Sequence, residues 1–169
     1  MPWRFVLAAV HGLPRPTADV DYIAAIPSDS LEELERIAGR QSTLAKQQGL
    51  YLQYVTIADV PEDYEQRLTE LFAGQFSRLR LLALDVHDLV LAKLVRNSPV
   101  DLEDAKFLAN AGVIDEKLLK KRYERELRPN LSNEKRHDLT LAIWLEACFR
   151  GKAESGRKPR HRVKVEKKP

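Results

Sequence analysis

The sequence predicts an α/β fold of the α+β kind, in which a small sheet flanked by helices is followed by a helical part. Before residue 84, short runs of apolar, β-branched and aromatic residues alternate with turn residues, which is typical of strands. After it, apolar residues recur at helical spacing behind acidic or hydroxyl residues that suit helix N-caps. The single Cys and a hydrophobic content of 44% describe an ordinary globular protein without a disulfide framework.

One domain is predicted over residues 3–149, with an α/β part (3–84), a helical part (85–149) and a basic tail (150–169) behind it. A chain of 169 residues is long enough for one core and too short for two. Residues 152–169 carry a net charge of +6, and the residues before them carry −3. The tail has two prolines and no apolar periodicity, so we expect disorder. It either contacts RNA or another polyanion, or is a solvated terminus.

Cellular placement follows from what the sequence lacks. No apolar run approaches the roughly 18–20 residues of a membrane span. The N-terminal residues MPWRFVLAAVHG are not followed by a small-residue cleavage site. We therefore expect a cytoplasmic protein that has no membrane partner.

The elements of the α/β part begin with an apolar segment, Phe5–Val10, that leads into a Gly- and Pro-containing loop. Asp19–Ile26 alternates and then becomes apolar, which predicts a largely buried strand. Ser30 and Glu33 have the spacing of a capping box that opens a helix, and Gly49 is expected to end it. The predicted apolar face of this helix consists of Leu31, Leu34, Ile37, Ala38, Leu44 and Ala45.

Two more strands and a helix complete the α/β part. Tyr51–Ala58 is rich in β-branched and aromatic residues and is predicted to be a strand. Pro61 suits the first turn of a helix that runs to about Phe72. Arg78–Leu84 is short and apolar, and we predict a third strand there.

Four helices are predicted in the helical part, each from an N-terminal capping or acidic residue and an apolar stripe. They run from Asp85 to about Arg96, from just before Asp101 to Asn110, from Asp115 to Arg128, and from Ser132 to Phe149.

Asp19 and Asp21 are the first candidate site residues. Residues i and i+2 of a strand project from the same face, roughly 6–7 Å apart. Two carboxylates so placed suit a hard cation such as Mg²⁺, which phosphoryl and nucleotidyl transfer use to neutralise developing charge. The pattern predicts a catalytic, metal-binding pair, with solvated acids at a strand end as the alternative.

The residues before this pair extend the pattern. Residues 11–21 read HGLPRPTADVD and resemble the H-G-x-x-R-x-T-x-D-[IV]-D signature of nucleotidyltransferase-like families in the DNA polymerase beta superfamily, among them small bacterial domains related to abortive-infection toxins. The resemblance continues in YLQYVTIADVPEDYEQRL, LALDVHDLVLAKLVRNSPVDLEDAKFLA and YERELRP, and covers most of residues 5–149. It implies a nucleotidyltransferase-like sheet, Mg²⁺ bound by Asp19 and Asp21, and a nucleotide-site loop that includes Arg15 and Thr17.

A second motif combines Lys93 and Arg96 on one helical face with Asp101 and Asp104 on the next helix. It is similar to an element of the related toxins. The resemblance implies that Lys93 and Arg96 bind the triphosphate and that Asp101 is the catalytic base. The alternative is a purely structural pair of interhelical ion pairs, Lys93–Asp101 and Arg96–Asp104.

A neighbouring histidine has two interpretations. His87 lies between Asp85 and Asp88, which would suit metal binding or acid–base chemistry. The preferred interpretation is a charge cluster at the helix N-terminus.

Two features of the family are missing from this sequence. A Gly-Gly or Gly-Ser pair, whose amides cradle the nucleotide phosphates, should fall near Arg4 and Phe5, and neither residue is small. Either the true start lies upstream, or the chain has lost its first strand and cradle. The third carboxylate of the family is absent from Tyr51–Ala58, where Gln53 would be a weak ligand.

The preferred function is an Mg²⁺-dependent nucleotidyltransferase that moves an NMP from an NTP to a nucleic-acid or protein acceptor. The resemblance implies a toxin–antitoxin or phage-defence setting, and the expected partners are an NTP, RNA or tRNA, and an antitoxin-like protein. The alternative is a catalytically inactive domain of the same fold that binds a partner protein or RNA.

Overall fold

The computed structural model describes residues 4–14, 17–56 and 58–150, which form an α+β fold as predicted. Within these residues, seven α-helices accompany four short strands in two separate sheets. Arg15 and the predicted tail lie outside the described residues, except for Arg150, which ends the last helical turn.

The helices are numbered in chain order. Their bounds are α1 Arg4–His11, α2 Ser30–Ala38, α3 Thr43–Gln48, α4 Val86–Arg96, α5 Pro99–Asn110, α6 Glu116–Arg122 and α7 Glu134–Leu145. No helix among the described residues has the length and apolarity that crossing a membrane requires.

The strands form two pairs. Their bounds are β1 Asp19–Tyr22, β2 Tyr51–Tyr54, β3 Thr69–Leu71 and β4 Leu81–Ala83. β1 and β2 are parallel, with Asp19 beside Tyr51 and Asp21 beside Gln53. β3 and β4 are antiparallel, and Thr69 pairs with Ala83.

The first two strands are shorter than predicted. β1 ends at Tyr22 and not at Ile26, and β2 ends at Tyr54 and not at Ala58. The hydrogen bond from the Val55 amide to the Tyr22 carbonyl, 2.9 Å long, closes the ladder. Ile26 is 94% exposed, so its apolar character does not reflect burial in a strand.

The predicted helix from Ser30 to Gly49 is in fact two helices, α2 and α3. Gly39 interrupts it in an extended conformation and forms a β-bridge with Leu52. A Cβ on Gly39 would lie 2.3 Å from the Glu35 carbonyl oxygen, so only glycine fits this turn. The predicted capping box of Ser30 and Glu33 was also wrong. Asp29 is the N-cap of α2, and its side chain makes no capping hydrogen bond. Gly49 does end α3, in the left-handed conformation.

The predicted helix from Pro61 to Phe72 was wrong. A short 3₁₀ turn at Tyr64–Arg67 leads directly into β3. β3 pairs with β4, which is shorter than the predicted strand at Arg78–Leu84. Pairing with a strand later in the chain overrides the local helical preference of this segment.

The helical part follows the sequence more closely. The Asp85 carboxylate accepts a hydrogen bond from the His87 amide at 2.9 Å, and Asp115 accepts one from Leu118 at 2.7 Å, so both caps are confirmed. α5 begins with a capping box between Ser98 and Asp101.

The last two predicted helices differ in detail. α6 continues through a π-helical turn at Tyr123–Leu127 before reaching Arg128. α7 is capped by Asn133 and not by Ser132, and a π-helical turn at Glu146–Arg150 follows it.

The hydrophobic core is built around α4, whose residues from His87 to Leu94 are all buried. α5, α6 and α7 each pack against α4. Among the described residues, the buried core cluster draws only Leu7 and Leu13 from positions before Leu84. A helix enclosed in this way carries its polar side chains into the interior, where they must be paired.

Candidate functional site

The two β1 carboxylates lie on the same face of their strand, as predicted. Asp19 is 8% exposed, and Asp21 is more accessible. The Thr17 hydroxyl donates hydrogen bonds to the Asp19 carboxylate and, at 3.3 Å, to its backbone carbonyl. Thr17 therefore fixes the orientation of Asp19 where the loop enters β1.

The protonation state of Asp19 suits a metal ligand. Burial acts to raise the pKa of the carboxyl, but hydrogen bonds to it, including the one from Thr17, bring the pKa below its ordinary value. Asp19 is consequently ionised at neutral pH and can offer an oxygen to a cation.

The donor atoms of this face can be compared with those of known Mg²⁺ sites. Mg²⁺ is commonly held by one or two carboxylates together with phosphate oxygens and water. The register of the sheet places the exposed Gln53 beside Asp21. The side-chain amide oxygen of Gln53 is an uncharged group of the kind that can coordinate a metal ion. No group of three or more His, Cys, Asp or Glu among the described residues is suited to hold a metal, so substrate and water would complete the coordination shell.

The second predicted motif forms a buried ionic cluster, here called the α4–α5 cluster, of Lys93, Arg96, Asp101 and Asp104. The Lys93 ammonium donates to Asp101 Oδ1 at 3.2 Å and to Asp104 Oδ2 at 3.0 Å. The side chains of these three residues are completely buried. Arg96 donates to both oxygens of Asp101, with Nε at 2.8 Å from Oδ2.

The pairing differs from the one that the sequence suggested. Lys93 does pair with Asp101, but it also pairs with Asp104, and Arg96 pairs with Asp101. The reason is the capping box of α5, in which the Ser98 amide donates to Asp101 Oδ2 and the Asp101 amide donates to Ser98 Oγ, each at 3.3 Å. The Ser98 hydroxyl also donates to Asp101 Oδ2 at 2.6 Å. Ser98 thereby holds Asp101 at the start of α5, within reach of both cations.

The environment of Asp101 stabilises its charge. Burial acts to raise the pKa of this carboxyl, but the hydrogen bonds from Arg96 and Ser98 and the charge of Lys93 bring it below its ordinary value. Asp101 is therefore an ionised acceptor of hydrogen bonds, engaged on both of its oxygens.

Arg4 joins α1 to the α4–α5 cluster, and it was not among the residues that the sequence predicted for the site. Its Nε lies 3.6 Å from Asp104 Oδ2, and its side chain is 15% exposed. α1, which begins with Arg4, also packs against β1. A cation in the first turn of a helix opposes the helix dipole, and this was the available signal that Arg4 has a carboxylate partner elsewhere.

His87 lies in the charge cluster at the N-terminus of α4, in agreement with the interpretation that the sequence analysis preferred to a metal or acid–base site. Its Nδ1 lies 3.0 Å from Asp85 Oδ1, and its Nε2 accepts a hydrogen bond from the Asp115 amide at 3.0 Å. Accepting at Nε2 places the ring proton on Nδ1. Nδ1 is thus engaged within the N-terminal turn of α4, and Nε2 joins α4 to the start of α6.

A second ionic network, which the sequence analysis did not predict, surrounds the N-terminus of α4. Arg122 donates to Asp85 and, at 2.9 Å, to the fully buried Asp88. Arg67 donates from Nε to Asp88 Oδ2 at 2.8 Å and from Nη2 to Glu126 Oε2 at 2.7 Å. The network anchors the 3₁₀ turn of the α/β part to the helical part.

An arginine that contacts Tyr51 was also missed. The Arg40 guanidinium carbon lies 5.7 Å from the centroid of the Tyr51 ring, a cation–π geometry. Because Tyr51 is the register partner of Asp19, its ring projects from the same face of the sheet as the carboxylates.

Comparison with known proteins identifies one family. Residues 5–149 match the family described as "Nucleotidyltransferase of unknown function (DUF6036)". Searches of curated proteins and of solved structures found no match.

Proposed function

Because this chain belongs to a family of nucleotidyltransferases of unknown function, we propose that it is an Mg²⁺-dependent enzyme that transfers an NMP from an NTP to a nucleic-acid or protein acceptor. The observation that carries the proposal is the pair Asp19 and Asp21 on one face of β1, with Thr17 bound to Asp19. Carboxylates in this arrangement are the equipment that metal-assisted nucleotidyl transfer requires.

In this proposal, the face of β1 that carries Asp19 and Asp21 positions the metal ion and the NTP phosphates. Asp19 and Asp21 would hold Mg²⁺, which neutralises charge on the phosphate oxygens when it is bound. The hydrogen bond from the Thr17 hydroxyl fixes the orientation of the Asp19 carboxylate. Gln53, beside Asp21, can bind a metal-coordinated water or a phosphate oxygen.

The α4–α5 cluster takes a supporting role. Arg96 has a side chain that is 32% exposed, whereas Lys93 and Asp101 are fully buried. We assign Arg96, together with Arg15 of the loop, to the triphosphate. Asp101 is a positioning residue that binds Arg96, and Lys93 pairs with Asp101 from the buried side. Asp101 would act as a base only after these contacts open.

The acceptor and setting are proposed from the resemblance and the charge distribution. RNA or tRNA is the preferred acceptor, because the +6 charge of residues 152–169 suits a polyanion. The resemblance to abortive-infection domains supports a toxin–antitoxin or phage-defence role with an antitoxin-like partner.

The test is transfer of label from each of four α-labelled NTPs, with Mg²⁺, to total RNA, purified tRNA and the protein itself. Wild type is compared with the Asp19→Asn/Asp21→Asn double variant. An Asp59→Asn/Asp63→Asn variant, which removes two exposed carboxylates, is the control for charge. Labelling should disappear in the first variant and persist in the second, with both folded by circular dichroism. Equal labelling by wild type and the first variant would refute the proposed site.

A catalytically inactive binding module is the second candidate. The observation that favours it is the neutral Gln53 beside Asp21, where a third carboxylate would strengthen metal binding. In that case wild type transfers no label from any nucleotide, yet binds tRNA or a partner protein to the same extent as the Asp19→Asn/Asp21→Asn variant.

A further inference from the structure

We infer that Arg40 binds the triphosphate of the NTP and that the Tyr51 ring holds its guanidinium in place. The inference rests on the proposed function and extends it to a binding residue outside both sequence motifs. It is carried by three observations on Arg40, namely its place on the sheet, its ring contact and the absence of an acidic partner among the residues that the structure describes.

The turn after α2 brings Arg40 to the β1–β2 sheet. Gly39 forms a β-bridge with Leu52 in the middle of β2, so its neighbour Arg40 runs alongside that strand. The Tyr51 amide donates to the Ala18 carbonyl at 2.9 Å, which holds Tyr51 directly beside Asp19. A guanidinium over the Tyr51 ring therefore lies on the carboxylate side of the sheet.

The hydrogen-bonding capacity of Arg40 is available for a ligand. Stacking on an aromatic ring engages the flat face of a guanidinium and leaves its N–H edges open. Arg40 is exposed, and within residues 4–14, 17–56 and 58–150 it forms no ion pair with a carboxylate. Arg96, which we also assign to the triphosphate, already donates from Nε and Nη2 to the two oxygens of Asp101 and so has fewer N–H groups open to a ligand.

The chemistry of this face suits a metal-bound triphosphate. A cation on Asp19 and Asp21 compensates part of the charge of a nucleoside triphosphate, and the remainder needs a second positive group nearby. An arginine fork matches two phosphate oxygens and is restrained here by a ring that reduces the entropy lost on binding. Arg40 thus recognises the phosphate chain and not the base.

Binding is measured by titration calorimetry of the full chain with each of four NTPs, and with inorganic tripolyphosphate, all in Mg²⁺. Arg40→Gln should weaken binding of the NTPs and of tripolyphosphate roughly 10- to 100-fold, which corresponds to the loss of charged hydrogen bonds. Arg40→Lys should recover part of the loss. Tyr51→Leu should weaken binding about 2- to 5-fold through the lost ring contact, whereas Tyr51→Phe should not.

The matched control is Arg36→Gln, which removes an exposed arginine that pairs with Glu33 on α2. It should bind all five ligands as wild type does. Wild-type affinity in Arg40→Gln would overturn the inference while leaving the proposed transferase intact. If wild type binds none of the NTPs, the inference and the enzyme proposal both fall. A loss for NTPs without a loss for tripolyphosphate would show base recognition and would overturn the assignment to phosphate.

Discussion

The molecule contains two pairs of aspartates that differ in their surroundings. Asp101 and Asp104 in the α4–α5 cluster are fully buried and contact Lys93, Arg96 and Arg4. On β1, Asp21 is only partly buried, and the Thr17 hydroxyl binds its neighbour Asp19. Each pair has its carboxylates at short sequence spacing on one element.

The difference follows from solvation. A buried carboxylate loses its hydration and must be compensated by cations and hydrogen bonds from the protein. In the α4–α5 cluster that compensation occupies both oxygens of Asp101, so the cluster stabilises the packing of α4, α5 and α1. On β1, Asp21 is partly exposed, and Asp19 is buried with its carboxylate bound by the Thr17 hydroxyl. Similar residues are therefore compensated by cations in one region and by a hydroxyl in the other, and only the β1 pair is proposed to bind a ligand.

The largest effect should come from removing the central cation of the cluster. Lys93→Met leaves two buried carboxylates without their shared partner, and we expect a loss of about 3–5 kcal/mol in the free energy of unfolding. Urea denaturation followed by circular dichroism measures it.

The matched control for Lys93, which lies on α4, is Lys106→Met on α5, which breaks an ion pair with the half-exposed Glu103. Such pairs contribute little, and the change should stay within about 0.5 kcal/mol. Equal stabilities of Lys93→Met and Lys106→Met would contradict the role of the α4–α5 cluster as a stabilising unit.

A smaller effect is expected from pH. The folded pKa of Asp101 lies below the ordinary value of 3.8. Its ionisation therefore stabilises the fold above pH 3.8, and the stabilisation is lost as the pH falls through the folded pKa. The difference in the free energy of unfolding between wild type and Asp101→Asn should be largest at neutral pH. This difference should become smaller below pH 3.8. Urea midpoints measured in steps between pH 7 and pH 3 give the two curves, and parallel curves would count against this account.

The smallest effect is expected at an exposed pair. Arg36 and Glu33 form a bidentate contact on the surface of α2, where water and salt screen the attraction. Glu33→Gln should leave the thermal midpoint unchanged, and adding salt should not alter that result. A clear loss would show that burial is not what separates strong from weak ion pairs in this protein.

Sequence reasoning predicted the fold class and the helical part because the signals there are local. Asp85 and Asp115 cap their helices through side chains that reach amides two or three residues away. The strand that carries Asp19 and Asp21 was also found at its correct start. Family membership agrees with the resemblance read from the motif.

The errors arose where distant contacts decide the structure. The segment after Pro61 has a plausible helical pattern, yet Thr69–Leu71 pairs with Leu81–Ala83. Gly39 reads as a tolerable helix residue until its bridge to Leu52 is known. Arg4, Arg40 and Arg67 each act on residues that only the fold brings near them. The spacing of residues along the sequence does not predict such long-range contacts.

The uneven distribution of the core has a consequence for how the protein is made. Among the described residues, nearly all of the buried apolar cluster lies at or after Leu84, and Leu7 and Leu13 pack into it from the start of the chain. A ribosome releases the β1 face and its aspartates long before it delivers α4 to α7. The nascent first half has two isolated strand pairs, which are marginal without further packing. Translation must therefore have passed the helical part before the candidate site can take its shape.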